Sequence, residues 1–579
     1  MREFATDVLI LGSGGAGLFA ALHAHQADPS LSITVAVKGL LGKCGCTRMV
    51  QGGYNVALSP GDSIERHFMD TIEGGKWLPD QELAWKLVTL AVERIRELEN
   101  ELGCFFDRNP DGTIHQKAFA GQTFDRTVHK GDLTGIEIIN RLAEQVWARK
   151  IDRLEEFRAV ELIKDKSNSA LAGVLFIDMR TGEFVLVRAK AVLLATGGGP
   201  TMYRYHTPSG DKSCDGLAMA LRAGLPLRDM EMVQFHPTGL LAGNHTRMTG
   251  TVLEEGLRGA GGHLLNGAKE RFMPRYDPLA ERATRDFVSR AMFAEMRAGR
   301  TSPNGGLFIS MAHIGPDKVR AMFKGMVERC ADCGFDLAGG LVEVVPTAHY
   351  LMGGVEFRPD CSTELPGLFV AGEDAGGVHG ANRLGGNGVA NSTVFGGVAG
   401  ESMAAWVKRE GGLRDPDRGA LDEAVRRCEP RDSGKFLSLE PLRERLYDTL
   451  WHKVGIIRDA SGLASALSDL GEIGAELESH ALPSGCRAFN LAWHDWLNLK
   501  SLVATSRVIA EAALARADSC GAHFRQDRPE GAPLEQSAFT RVRSRNETLD
   551  ISMQRVAFTR VRPGESLLHA DESLVPAAR

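Results

Sequence analysis

The sequence predicts an α/β protein in which a Rossmann-like, dinucleotide-binding domain on a parallel sheet is interrupted by an inserted domain and followed by a helical region. Three observations predict it. An apolar strand, Val8 to Leu11, runs into Gly12, Gly14 and Gly17 at G-x-G-x-x-G spacing, and small residues then open a helix. Two more apolar strands with glycine-rich ends, Ala191 to Thr196 and Gly367 to Ala371, stand far downstream, so segments of one sheet are separated by a long insertion. From about residue 415 to 525 the pattern is largely helical, with Leu497, Leu499, Leu502 and Val503 in an apolar series that bundle packing explains.

The glycine turn comes first in the chain. Its glycines permit a tight turn, close approach of backbone to a pyrophosphate and close helix-to-strand packing, and a diphosphate then sits on the helix N-terminus. At 579 residues with 43% apolar content, the chain is long enough for roughly three to four domains with sizeable cores. A formal net charge of -6 argues against a global polyanion surface, so nucleic acid is not an expected partner. The leader Met1 to Phe4 is too short for a signal peptide, and no apolar run approaches the roughly 18 residues of a membrane span. A cytoplasmic protein, at most peripheral to a membrane through a partner, is expected. Ten cysteines with a single C-x-x-C, Cys330 and Cys333, read as reduced thiols. One such pair is a poor zinc site and the four-cysteine spacing of an iron-sulfur cluster is missing, so no metal site is expected.

After the first helix, Ser32 to Val37 reads as the second strand. A nicotinamide site would place Asp or Glu at its end for the ribose, but the residue is Lys38, which leaves FAD open. Lys43 to Leu58 is glycine-punctuated and reads as loop, and the helical signal resumes near Glu82. Leu83, Leu87, Leu90, Ala91, Ile95, Leu98 and Leu102 then recur at helical spacing as a core-facing stripe. In the tail the hexapeptide AFTRVR occurs at Ala538 to Arg543 and again at Ala557 to Arg562, and each copy reads as a strand. Arg541, Arg543, Arg560 and Arg562 form either a solvated strand face or a dock for an acidic partner.

The insertion and its edges carry QFHPTG (Gln234 to Gly239), LEEGLRGAGG (Leu253 to Gly262), ATRDFVSR (Ala283 to Arg290) and TAHYLMGG (Thr347 to Gly354), followed by VHGANRLGGNG (Val378 to Gly388). With SCGAHFRQDRP (Ser519 to Pro529), this ordered set resembles the flavoprotein subunit of succinate dehydrogenase and fumarate reductase, a family that includes L-aspartate oxidase. The resemblance covers nearly the whole chain. It implies an α/β FAD-binding Rossmann-like domain (1–240 and 350–412), an inserted α+β capping domain (241–349), a helical-bundle domain (413–525) and a small C-terminal β-containing domain (526–579). It places FAD contacts at Gly12, Gly14, Gly15, Ala16, Gly17, Lys38, Thr47, Gln51, Gly52, Gly53, Asp215, Glu373, Asn387, Gly388 and Val389. The helix after Asn387 would aim its positive end at the flavin.

Hydride exchange across a C–C bond flanked by carboxylates needs cations and donors to hold those carboxylates, and a group that exchanges the second proton. By the resemblance, His236, His349 and Arg383 match the family's carboxylate clamp, and Arg285 its proton donor or acceptor. A guanidinium hardly titrates by itself, so a relay is required, and Glu255 and Arg258 match the relay positions. Phe119 corresponds to the aromatic that packs on the substrate. Taken singly, each His would sooner satisfy a local hydrogen bond and each Arg a surface carboxylate; together, inside matched motifs, they read as a site.

Three departures from the family pattern bear on function. The histidine through which respiratory members attach FAD is replaced by Cys46, next to Thr47, which predicts non-covalent flavin; a thioether through Cys46 is the minority alternative. A threonine that donates to a substrate carboxylate is replaced by Glu254, whose charge would repel a carboxylate unless its pKa were raised or a cation intervened. RGEGG has become RGAGG at Ala260 and NSL has become Asn387, Gly388, Val389, which suggests a changed polar lining on two sides. The expected enzyme is an FAD-dependent oxidoreductase interconverting a saturated and an α,β-unsaturated small carboxylic acid, with electrons passing to an iron-sulfur subunit. The alternatives are an L-aspartate oxidase-like amino-acid oxidase, against which Phe119 argues, and a flavin-bearing assembly subunit without turnover, against which the four clamp and proton residues argue.

Overall fold

The structure is a computed structural model that describes the chain except residues 244–245, 430, 433–437, 480, 483–485, 546–547 and 569–579. The expected tail region 526–579 therefore runs past the described residues. The main sheet has seven strands. Arg2–Leu11 lies between Ile33–Val37 and Glu183–Leu194, all parallel, and Asp152–Glu155 extends the Ile33–Val37 edge. Leu368–Val370 returns from far along the chain to pair in parallel with the C-terminal end of Glu183–Leu194, with Phe369 opposite Leu193. The three apolar segments thus share one sheet, as expected. Leu171–Asp178 and Phe157–Lys164 complete it as antiparallel strands, so the sheet is mixed.

Continuous apolar strands are buried on both faces because helices cover them. The Gly15–Ala27 helix is buried from Gly15 to Ala24, pressed between the sheet and the long Asn387–Glu410 helix. The two helices approach so closely that a Cβ at Gly400 would lie 2.3 Å from the Ala20 carbonyl oxygen. Where this pair leaves the apolar layer, His23 takes over the contact. Its Nδ1 is 2.9 Å from Glu401 and its Nε2 2.9 Å from Glu97 on the Gln81–Asn100 helix, while Arg94 binds both carboxylates. With a carboxylate at each ring nitrogen, the imidazolium is the form that satisfies both. Burial opposes that charge, but the hydrogen bonds to Glu401 and Glu97 outweigh it and raise the His23 pKa. A raised folded-state pKa means that this stabilisation is fully present below the unfolded value near 6.5 and is lost as pH rises through the folded value. Thermal melts should therefore show stability falling above neutral pH, with His23→Gln removing that part of the dependence; a parallel pH profile in the variant would refute it.

A second sheet, Val233–Leu240, Val342–Leu351, Leu307–Ser310 and His263–Leu265, is antiparallel and carries its own apolar core of Leu253, Leu264, Phe272, Val288, Ile309 and their neighbours. The Arg285–Arg297 helix packs on its first strand. The helical stretch comprises Arg418–Cys428, Glu440–Lys453, Ala460–Ser479 and Leu491–Ala515, the last three packed against one another.

Two local expectations are corrected. Residues before Glu82 already hold a helix, Ile64–Gly74, started by Ser63, whose side chain accepts from the Arg66 N–H at 3.1 Å. The second AFTRVR copy is not a strand: the partner of Ala538–Arg545 in the hairpin is Thr548–Arg555. Residues 557–562 instead run along the Gln81–Asn100 helix, where Gln81 Oε1 accepts from the N–H groups of Arg560 and Val561. The tail arginines are also engaged within the chain, Arg541 and Arg543 with Glu364, and Arg560 with Glu82.

Candidate active site

One cavity of about 540 Å³ runs from the first glycine turn to the edge of the second sheet. At one end the Gly12 turn, Gly14, Gly15, Ala16, Lys38 and Asp215 line it, while Gln51, Gly52 and Gly53 line it on the way to Phe119. Gly12 has φ +112°, and a Cβ there would sit 2.1 Å from the Ala195 carbonyl oxygen, so the tight turn needs glycine. A Cβ at Gly17 would meet the Gly12 carbonyl oxygen at 2.0 Å, so Gly17 sets helix-to-strand packing and does not line the cavity. The Gly15–Ala27 helix has no cap from its own N-cap residue, Gly14, and no acidic residue in its first turn; Thr47 Oγ1 accepts from the Gly15 N–H at 3.0 Å, and no carboxylate of that turn neutralises the positive end that meets a ligand. Lys38 does not point free: its Nζ donates to Asp215 and Ser213, both at 2.9 Å, and Arg158 holds the other Asp215 oxygen. Burial works to raise the Asp215 carboxyl, but Arg158 and Lys38 outweigh it and hold it well below the usual range.

At the middle, Cys46, Thr47, Glu373, Gly388 and Val389 line the wall. The Asn387–Glu410 helix also begins without a side-chain cap or early acid, so its N-terminus opens on this wall. Asn387 itself turns away, bonded to Asn55, His67 and Thr71. Ala260 is likewise absent from the lining, so of the two expected changes in polar lining only the Gly388 and Val389 side reaches the cavity. Burial pushes the Cys46 thiol up to about 12 and the Glu373 carboxyl up to about 7. The buried Ser13 Oγ and Gln51 Oε1 have no hydrogen-bond partner among the described residues. The two helix N-termini, the glycine cradle and these two orphaned polar atoms fit an elongated dinucleotide such as FAD.

At the far end His236, His349, Arg285 and Arg383 converge with Phe119, Glu254 and Glu255. The His236 and His349 rings lie 5.4 Å apart. Burial and then Arg285 hold both well below the usual histidine range, so both are neutral donors or acceptors. His236 Nδ1 accepts from the Thr238 N–H at 3.3 Å, which leaves the ring proton on Nε2. Gln234 Oε1 bridges Arg285 at 3.1 Å and Arg383 at 3.0 Å, and Arg383 lies 4.4 Å over the Tyr350 ring. Burial, then Arg285, lowers Arg383 to about 10. Arg285 Nε donates to Glu255 Oε2 at 3.0 Å, and Arg258 Nη2 to Glu255 Oε1 at 3.0 Å. Arg258 lies behind Glu255, off the cavity. Burial works to raise Glu255, but Arg285 and Arg258 outweigh it and keep it ionised. Arg285, Arg383 and Arg258 around the single Glu255 carboxylate leave the clamp side of this end cationic.

Residues 7–389 match the model of an FAD binding domain and residues 443–568 that of a fumarate reductase flavoprotein C-terminal region. A CoM/CoB fumarate reductase subunit of Methanothermobacter marburgensis is 39% identical over 92% of this chain and 96% of its own. The fumarate reductase flavoprotein subunit of Escherichia coli is 32% identical over 91% and 89%. Among solved structures, an E. coli quinol fumarate reductase chain superposes with TM-score 0.90 at 30% identity, covering 98% of this chain and 99% of that one.

The chain belongs to the fumarate reductase and succinate dehydrogenase flavoprotein family. FAD is accordingly its cofactor, and it is an oxidoreductase acting on CH–CH groups. The relatives and the solved structure named above are fumarate reductase flavoproteins and not L-aspartate oxidases. For this flavoprotein, sequence reasoning missed Gln234 as the bridge between two arginines, Thr207 at 2.8 Å from His349, Tyr350 beneath Arg383, and Lys117. Lys117 forms a close ion pair with Glu254, whose carboxyl burial still raises above its ordinary value despite that cation. Lys117 stands two residues before Phe119, and that alternation was a usable signal.

Proposed function

We propose that this flavoprotein interconverts a saturated and an α,β-unsaturated small carboxylic acid, and that His236, His349 and Arg383 hold a carboxylate of that acid while Arg285 exchanges a proton with one of its carbons. The observation that carries the reading is the convergence of those four side chains on one cationic end of the cofactor cavity. Bound FAD supplies the two-electron chemistry by exchanging a hydride at its N5. His236 donates from Nε2, Arg383 adds a charge-assisted bond, and both draw electron density from the double bond toward the carboxylate. Arg285, Glu255 and Arg258 form a continuous line of hydrogen bonds along which the proton lost by Arg285 is replaced. Phe119, whose ring a Cβ at Gly52 would strike at 2.5 Å, closes the cavity beside the clamp and excludes water. The described residues include no helix long and apolar enough to cross a membrane. We assign the electron acceptor or donor to a separate iron-sulfur subunit; the naming of the relatives as subunits supports this.

The test is anaerobic: the purified flavin is reduced, mixed with small unsaturated acids such as fumarate, and followed by absorbance. Rapid reoxidation by an unsaturated acid supports the assignment, and inertness toward every such acid overturns it. The flavin is held without a covalent bond, because the half-buried Cys46 thiol in the cavity wall is kept protonated by desolvation and by Glu373 beside it. Acid precipitation is therefore expected to give a colourless pellet and a yellow supernatant; a yellow pellet would show a covalent link.

A further inference from the structure

The far end of the cavity is not uniformly cationic. Its lining also includes Glu254 and Asp132, with Arg329 donating to the Val252 carbonyl oxygen at 3.3 Å. Glu254 is 4% exposed, and its ion pair with Lys117 engages Oε1 alone. Lys117 does not line the cavity; it stands behind the carboxylate, so the surface offered to a ligand is the carboxylate and not the ammonium. Oε2 makes no hydrogen bond or ion pair among the described residues, because Lys117 is held on Oε1. The lining is thus mixed: Arg285, Arg383 and two histidine rings together with a carboxylate oxygen, Glu254 Oε2, that has no donor of its own. A buried acceptor of this kind favours an N–H or O–H group and penalises a second anion.

Resting on the reaction proposed above, we infer that Glu254 makes this site selective for an unsaturated acid whose second end is a hydrogen-bond donor, an amide, amino or hydroxyl group, over a plain dicarboxylate. One carboxylate is gripped by the arginine and histidine side, and the donor end is accepted by Glu254 Oε2. Lys117 acts as a positioning residue that keeps Glu254 in place.

The holoenzyme is titrated with fumarate and with the monoamide of fumaric acid, and the flavin absorbance change gives a Kd for each, with reoxidation of the reduced flavin measured in parallel. The monoamide is expected to bind roughly tenfold or more tightly than fumarate. Glu254→Thr is expected to reverse the order, and the isosteric Glu254→Gln to tighten fumarate while changing the monoamide less, so the pair of variants guards against a folding defect in one. A wild-type Kd ratio favouring fumarate, or one that neither variant moves, overturns the inference. Fumarate binding that takes up one proton per molecule also overturns it, because Glu254 would then act as a donor to a carboxylate. A Kd ratio that behaves as expected with no reoxidation by either acid supports the selectivity and instead removes the proposed reaction.

Discussion

Arg285→Ala is expected to lower turnover roughly 10³-fold while the acid still binds. Arg285 and Glu255 both face the cavity, with Arg258 behind them, and Arg285 is the cationic donor of that chain on the cavity side, so its loss removes the proton source and leaves Glu255 hydrogen-bonded to Arg258. Binding survives because His236, His349 and Arg383 do not depend on it for position; Gln234 keeps its bond to Arg383 at 3.0 Å and to the Arg383 carbonyl at 2.7 Å. Stopped-flow reoxidation of the reduced flavin, with the acid's Kd measured from the flavin spectrum, separates the two effects. Turnover within tenfold of the parent would take the proton role away from Arg285, and a lost Kd with intact turnover would make it a clamp residue.

Gly12→Ala should abolish flavin binding and destabilise the fold by about 3 kcal/mol or more, because it combines a strained φ with a backbone clash. The added Cβ would lie 2.1 Å from the Ala195 carbonyl oxygen, and neither backbone can retreat: Gly12 N–H is bonded to Ala36 at 2.8 Å and Ala195 N–H to Leu11 at 2.9 Å. Gly14→Ala is the control, since its Cβ would meet nothing nearer than Thr47 Oγ1 at 3.6 Å, and that variant should keep the fold. Flavin-to-protein ratio after gel filtration and chemical denaturation read the two outcomes. A flavin-replete, equally stable Gly12→Ala protein would mean that the turn is not the fixed cradle described above.

The parallel strands and their glycine turns were legible because a strand buried on both faces must be continuously apolar and a turn at φ +112° must be glycine. Both are local constraints. The tail shows the opposite case. Two identical hexapeptides, AFTRVR, end in different structures: the first pairs with Leu227–Arg228 on one side and Thr548–Arg555 on the other, whereas the second finds no strand edge and takes its hydrogen bonds from the Gln81 side chain. No propensity argument distinguishes them, since backbone pairing depends on what lies alongside. The Ile64–Gly74 helix was missed for a different reason: its Ser63 cap and its Phe68, Met69 and Ile72 stripe were present but followed a glycine-punctuated loop that read as continuing.

In the site, sequence motifs supplied the residue types, and the fold decided their assignments. Ala260, Asn387 and Arg258 sit in motifs beside true cavity residues but face elsewhere, whereas Lys117 and Gln234 gained roles that no spacing announced. By itself the sequence determined the nucleotide cradle, the interrupted domain and the set of cations available to hold an organic acid, because these follow from backbone constraint and from the chemistry of side chains. Only the tertiary structure decided which carboxylate joins Arg258 to Arg285 and which carboxylate, with Lys117 behind it, looks into the cavity. Adjacent residues such as Glu254 and Glu255 point to different neighbours once the chain is folded, and a buried charge is defined by those neighbours.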